Sequence, residues 1–254
     1  MEGCRERFWT RTNVRAGEEV TPVRVRRHVR RGPHSLPSYR RRHEDATDPD
    51  IENLAQVYLK RWGLGPLGER TPLKADPERG KRIAAAYDAL PKFSLDSDTL
   101  AAYRQFKKEV EHQYEFLKEH INFEHTAGDP YPNSAAMIQD VRDNHTLRVY
   151  MGGERHPLLG EPDSDGLSAN DKFRAVHDVF GHAMRGYQFG PSGEESAWGE
   201  HSRMFSPLAQ RAMTTETRGQ NSWFNFSPQN IDKPVSQREF AEQKVGLLPE
   251  EFWP

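Results

Sequence analysis

The chain has 254 residues, 35% of them hydrophobic and 29% charged, with a mean hydropathy of −0.92 and a formal net charge of −2. That length can bury a substantial core in one domain, and no run approaches the roughly 18 apolar residues of a membrane-spanning helix. The single cysteine, Cys4, excludes internal disulfides, cysteine-based zinc sites and iron–sulfur clusters, and with no apolar leader at the start a cytoplasmic setting is expected.

The charge is unevenly spread. Residues 1–43 carry 12 Arg against Glu2, Glu6, Glu18 and Glu19, a net of +8, whereas residues 44–254 carry a net of −10. Few apolar anchors interrupt the Arg, Pro and Gly of residues 1–47, which read as a flexible basic arm. Residues 21–43 hold eight Arg and no acid, so they suit phosphate binding, as on nucleic acid, or a solvated tail that balances an acidic body.

Helical signals dominate from residue 48, and residues 48–254 read as one mainly α catalytic domain with at most a small β element. Asp50 can cap a helix carrying Ile51, Leu54, Val57, Tyr58 and Trp62 and stopped by Gly63. Pro77 suits the first turn of a helix that runs through Ile83–Leu90. Ser97 opens the longest helix, with Leu100, Tyr103, Phe106, Val110, Tyr114 and Leu117 on a core-facing stripe. DPYPN at 129–133 predicts a turn, Ser134–Arg142 a short helix, and Thr146–Met151 a strand. A loop follows over 152–166, and Ser168 with Asp171 forms a capping box for the next helix.

Metal-capable side chains concentrate in residues 168–226: His177, Asp178, His182, Glu194, Glu195, Glu200, His201 and Glu216. Imidazole and carboxylate together suit iron, manganese or zinc. His177 and His182 are five apart, about 140° from each other on a regular helix, so the helix must bend or end for them to meet. Gly181 is placed to allow that. Glu194 and His201, seven apart, share a face, and Glu216 with Gln220 lies on a third segment. Phe180, Trp198, Phe205 and Trp223 could wall off a dry pocket. Trp198, Arg218, Gln220 and Asn221 are candidates for substrate binding, the last three for a polar or anionic group or simply for hydrogen bonds between segments.

HDVFGH at 177–182 resembles the His-[Asp/Glu]-x-[Phe/Leu]-Gly-His motif of the aromatic amino acid hydroxylases, which are mostly helical non-haem iron monooxygenases. LAQRAMTTETRG at 208–219 resembles the segment that carries their glutamate ligand. The resemblance implies an aromatic amino acid hydroxylase-like catalytic core. It also implies Fe(II) held by His177, His182 and Glu216, with Asp178 a catalytic group beside the ligands. O2 and a small polar or aromatic molecule would be the substrates, and the reductant, a pterin or another, stays open. DPYP, NDKFRAVHDVFGHA, TTETRGQNSW and FAEQKVGLLPE are also similar to an uncharacterised family of bacteriophage and prophage proteins.

Three other readings share these residues. In a dinuclear iron or manganese oxidase, Asp178 and His182 would act together with Glu194, His201 and Glu216; for the ligand set in general, Glu194, Glu195 and His201 are the alternates. In a His-Asp phosphohydrolase, His177–Asp178 would work with His145 or His156 and Asp232. In a phage-type nucleic-acid-binding accessory protein, the arm would do the work and the histidines would be structural.

Overall fold

A computed structural model describes residues 46–254, so residues 1–45 of the expected basic arm 1–47, with its nucleic-acid segment 21–43, lie outside the described residues. The described residues are mainly helical with one small sheet. Among the described residues no helix is long and apolar enough to cross a membrane.

Helix α1 spans Pro49–Trp62 and ends at Gly63, whose φ of 65° is the left-handed closure that glycine adopts without strain. Its cap is Asp48, not Asp50. The Asp48 carboxylate accepts the Asp50 and Ile51 N–H groups, and Pro49 occupies the first turn, where its missing N–H costs nothing. Asp50 instead lies inside the first turn. Helix α2, Pro77–Asp88, is capped by Asp76 and starts on the expected proline. Helix α3, Ser97–Leu117, is capped by Asp96 and buries Tyr103, Phe106, Val110, Tyr114 and Leu117 along the expected stripe.

Strand β1, Asn122–Thr126, pairs in parallel with β2, Thr146–Tyr150, in the register Asn122↔Thr146 through Thr126↔Tyr150. Helix α4, Ser134–Asn144, lies between them and ends at His145 in the left-handed region. Helix α5, Ala169–His177, carries the capping box of Ser168 and Asp171. It runs without a break into a widened π-type turn, Asp178–Ala183. Helix α6, Pro191–Ser202, follows, then α7, Pro207–Thr214, a second π-type turn, Thr215–Gly219, and α8, Gln220–Phe226.

Phe106 of α3, Phe173 of α5 and Phe205 meet at ring-centroid distances of 4.8 to 6.5 Å in the main core. Each is fully buried, which contributes about 2 kcal/mol apiece. A second cluster joins Ile83 and Tyr87 of α2 to Trp223 of α8 and to Leu248 and Phe252. Gly80 permits the close approach of α2 and α8, since a Cβ there would lie 2.3 Å from the Phe226 ring. These two cores fix α3, α5, α6 and α7 around a common interior, where the polar side chains gather.

Candidate metal centre

The widened turn answers the problem set by the spacing of the two histidines. A π-type turn closes hydrogen bonds from residue i to i+5, so residues five apart come onto one side. The Met184 N–H to Val179 carbonyl bond of 2.9 Å has this form. His177 and His182 accordingly stand edge to face, with ring centroids 5.1 Å apart and planes at 89°. The helix does not end at Gly181 but continues through it as the widened turn. That residue instead makes room, because a Cβ there would lie 3.0 Å from the His177 ring and 3.3 Å from Ala197.

Helix α6 supplies the carboxylate. Ligand atoms of His177, His182 and Glu194 lie within 4.8 Å of one another, and this is the one such cluster among the described residues. Glu194 Oε2 is 3.5 Å from His182 Nε2. Glu216, the carboxylate expected in this position, is turned elsewhere. It is wholly buried and accepts hydrogen bonds from Tyr103 Oη at 2.6 Å, His156 Nε2 at 3.2 Å and Gln220 Nε2 at 2.9 Å. In place of Glu216, the side chain gathered with the histidines is therefore Glu194.

Hydrogen bonding assigns the protons on the rings. Gln113 of α3 donates its Nε2 to the Met204 carbonyl at 3.0 Å, so its Oε1 accepts from His201 Nε2 at 2.7 Å. His201 Nδ1 is then an acceptor, and His177 Nδ1 donates to it at 3.0 Å. His182 Nδ1 donates to the Tyr187 carbonyl at 2.9 Å. His177 thus keeps its hydrogen on Nδ1 and leaves Nε2 with a bare lone pair, whereas His182, its Nδ1 spent on the carbonyl, turns Nε2 to Glu194 and donates to it when protonated, a proton that a metal would replace. Burial lowers the pKa of His177 well below the ordinary value, with His182 and His201 adding to the effect, and lowers that of His201 to about 3. Burial also opposes protonation of His182, but the neighbouring Glu194 and Asp178 charges outweigh it and raise its pKa.

Two imidazoles and a carboxylate gathered in one place suit a cation. The donor set fits Fe(II), Mn(II) or Zn(II). The other alternates do not converge on it. His201 spends both nitrogens on His177 and Gln113. Glu195 forms an ion pair with Arg218, bonding its Nε at 3.1 Å as well as its Nη2. Glu200 faces Arg185 at 3.4 Å.

A cavity of about 250 Å³ adjoins the cluster and is lined by His177, Asp178, His182, Glu194 and Glu216. Its apolar walls come from Phe173, Phe189 and Phe224, not from the aromatic residues expected to enclose it. Phe180 and Phe205 belong to the main core and Trp223 to the second cluster. Trp198 donates to Thr214 Oγ1 at 3.1 Å and carries Arg218 stacked on its face at 3.9 Å. Both line a separate cavity, and Arg218 also donates to the Phe252 carbonyl at 2.8 Å, so they tie segments together. Gln220 is occupied with Glu216. Asn221 does line the metal-side cavity. Asp178 lies on the cavity too, yet the imidazole hydrogens go to His201 and to the Tyr187 carbonyl instead of to its carboxylate.

Gln113 and Tyr103 escaped the sequence reading as site residues, and His156 entered it only as a possible member of a phosphohydrolase set. Tyr103 reads as core, and His156 lies in a loop, where its Nδ1 accepts the Leu158 and Leu159 N–H groups. Only Gln113 carried a signal, as an amide three residues after Val110 and four before Leu117 on an otherwise apolar stripe.

No family profile, curated protein or solved structure matches the chain.

Proposed function

We propose that the protein is a non-haem Fe(II)-dependent oxygenase that hydroxylates a small molecule bound in the 250 Å³ cavity. The observation that carries this reading is the pair of imidazoles, His177 and His182, gathered with the Glu194 carboxylate within 4.8 Å. Two imidazoles and one carboxylate on one face leave positions open for dioxygen and substrate. When bound, Fe(II) supplies the activation of dioxygen. The resemblance of HDVFGH and LAQRAMTTETRG to the aromatic amino acid hydroxylases supports oxygen chemistry over hydrolysis and a hydroxylase-like helical core, with Glu194 taking the ligand role that the resemblance assigns to Glu216. Hydroxylation places one oxygen atom in a C–H bond and reduces the other to water, so an external reductant, a pterin or another, supplies two electrons.

The chain's own residues do the rest. His201 and Gln113 hold the proton of His177 on Nδ1. Phe173, Phe189 and Phe224 exclude water from the reacting space. The dinuclear reading loses support because His201 and Glu216 are committed to other partners.

Anaerobic loading with Fe(II), metal analysis and the spectrum of the nitric oxide adduct test the proposal. Wild type should hold about one iron per chain and give a high-spin iron–nitrosyl signal, since nitric oxide occupies positions open to dioxygen. Retention of no iron, or of two, defeats it.

A further inference from the structure

We propose that the cavity beside the histidine pair takes a small anion carried on an apolar body, and that Arg238 is the group that reads the negative charge. The proposal rests on the oxygenase reading for what happens to that ligand; its binding preference belongs to the cavity itself.

The cavity is lined by Val149, Phe173, Phe189, Phe224 and Val235, surfaces that gain by burying hydrocarbon. With a volume of about 250 Å³, the cavity has room for a short-chain or single-ring compound. Two arginines reach the cavity. Arg174 is committed to Asp171 at 3.1 Å and to the Tyr150 and Gly152 carbonyls at 2.9 and 2.8 Å.

Arg238 differs. Its Nη1 donates to Asn225 Oδ1 at 2.9 Å and its Nε to the Lys233 carbonyl at 3.2 Å, both neutral acceptors. Arg174, Arg185 and Arg218 each have a carboxylate partner, and among the described residues Arg238 has none. Burial alone lowers its pKa, with no negative charge acting against it. Two of the five guanidinium N–H groups are used, so the remaining three, all on the Nη atoms, can meet an anion.

The placement of Arg238 is built into the loop. The wholly buried Asn230 donates Nδ2 to the Glu239 carbonyl at 2.8 Å and accepts the Glu239 N–H at 2.9 Å, clipping residues 230–239 closed. Asn225, which holds Nη1, is itself fixed by donating to Asn221 Oδ1 at 2.7 Å. Val235, on the same loop, is 43% exposed and lines the cavity, so the opening lies here. A ligand entering at this point meets a preorganised guanidinium, apolar walls and the histidine pair. The cavity's carboxylates are otherwise engaged: Glu194 faces His182, and Glu216 accepts from Tyr103, His156 and Gln220. Asp178 acts electrostatically on Arg174 and His182.

The shared chemistry of carboxylate and phosphate calls for a matched series. The full chain is titrated calorimetrically with hexanoate, hexyl phosphate and hexanamide, first free of metal in chelator and then with Fe(II) without oxygen. At least one anion should bind the metal-free wild type about tenfold or more tightly than the amide does, the effect of a single charge-assisted contact. Arg238→Gln should bring that anion to the level of the amide and leave amide binding unchanged, which reports an intact cavity. Arg238→Lys should keep part of the preference. The carboxylate and phosphate arms show which anion fits. Equal binding of the three probes, binding of none, or a preference that survives Arg238→Gln would overturn the proposal. If the wild type fails to take up iron while the preference is present, the metal reading fails and this one stands.

Discussion

Glu194 and Glu216 are both acids on one cavity, yet their surroundings set them different tasks. Glu194 stands 3.5 Å from His182 Nε2, whereas Glu216 is saturated by three neutral donors. Glu194→Gln should therefore remove most bound iron with little change in stability. Glu216→Gln should keep the iron and cost about 1–3 kcal/mol, because it spoils hydrogen bonds to a buried charge. Metal content and urea midpoints measure both effects, and the reverse pattern would restore Glu216 as the ligand. The relay behind His177 is a second residue-level case. Gln113→Leu leaves the His201 Nε2 hydrogen without its acceptor, and His201→Ala frees the His177 ring to turn. Each should weaken Fe(II) binding about 10–100-fold, the usual effect of disturbing the groups that orient a metal-binding histidine. Competition with a metal indicator reads this directly, and unchanged affinity would show that the relay only fills space.

At the level of elements, much was legible from local rules. The capping box of Ser168, the prolines that start α1 and α2 and the apolar stripe of α3 each follow from interactions within a few residues. Ser168→Ala should cost about 1 kcal/mol, seen as a lower denaturation midpoint with metal content unchanged. Strand β1 was not legible, since NFEHT has no clean alternation and exists because β2 lies beside it. The π-type turns were equally hidden. A periodicity of 3.6 assumes regular hydrogen bonding, and the widening depends on how Gly181 and the His177 ring pack against α6. Gly181→Ala tests that packing. Its methyl would press on the His177 ring, and a cost of about 1–3 kcal/mol with weakened iron binding is expected. Denaturation and metal titration on the same sample should move together; a change in stability alone would separate the turn from the metal centre.

For the whole molecule, neither hydrophobic core contains a candidate ligand. Chelation should leave the helical spectrum intact and remove only the stabilisation that comes from binding. That amounts to about 2.7 kcal/mol at a metal concentration a hundred times Kd. For a chain of this size it corresponds to roughly 5–10 °C in Tm by calorimetry. Unfolding on chelation would mean that the metal is part of the fold's foundation. The long-range organisation also explains why the site was only half legible. His177 and His182 share a short motif, but Tyr103, Gln113, His156 and Glu194 come from three other stretches of chain. Their meeting is set by how α3, α6 and the loop after β2 pack, and no spacing along the sequence encodes it.

The widened turn also bears on how such a centre changes by insertion and deletion. Its hydrogen bonding and the number of residues between the two histidines are coupled. Losing one residue between Asp178 and Gly181 would leave the histidines four apart, a spacing that an ordinary helical turn already brings to one side. Gaining that residue again would recreate the wide turn. A genomic search keyed only to histidines five apart therefore passes over chains with the same centre on the shorter spacing. The pattern that fits this geometry accepts both lengths and asks for glycine immediately before the second histidine, where Gly181 gives the first ring its room.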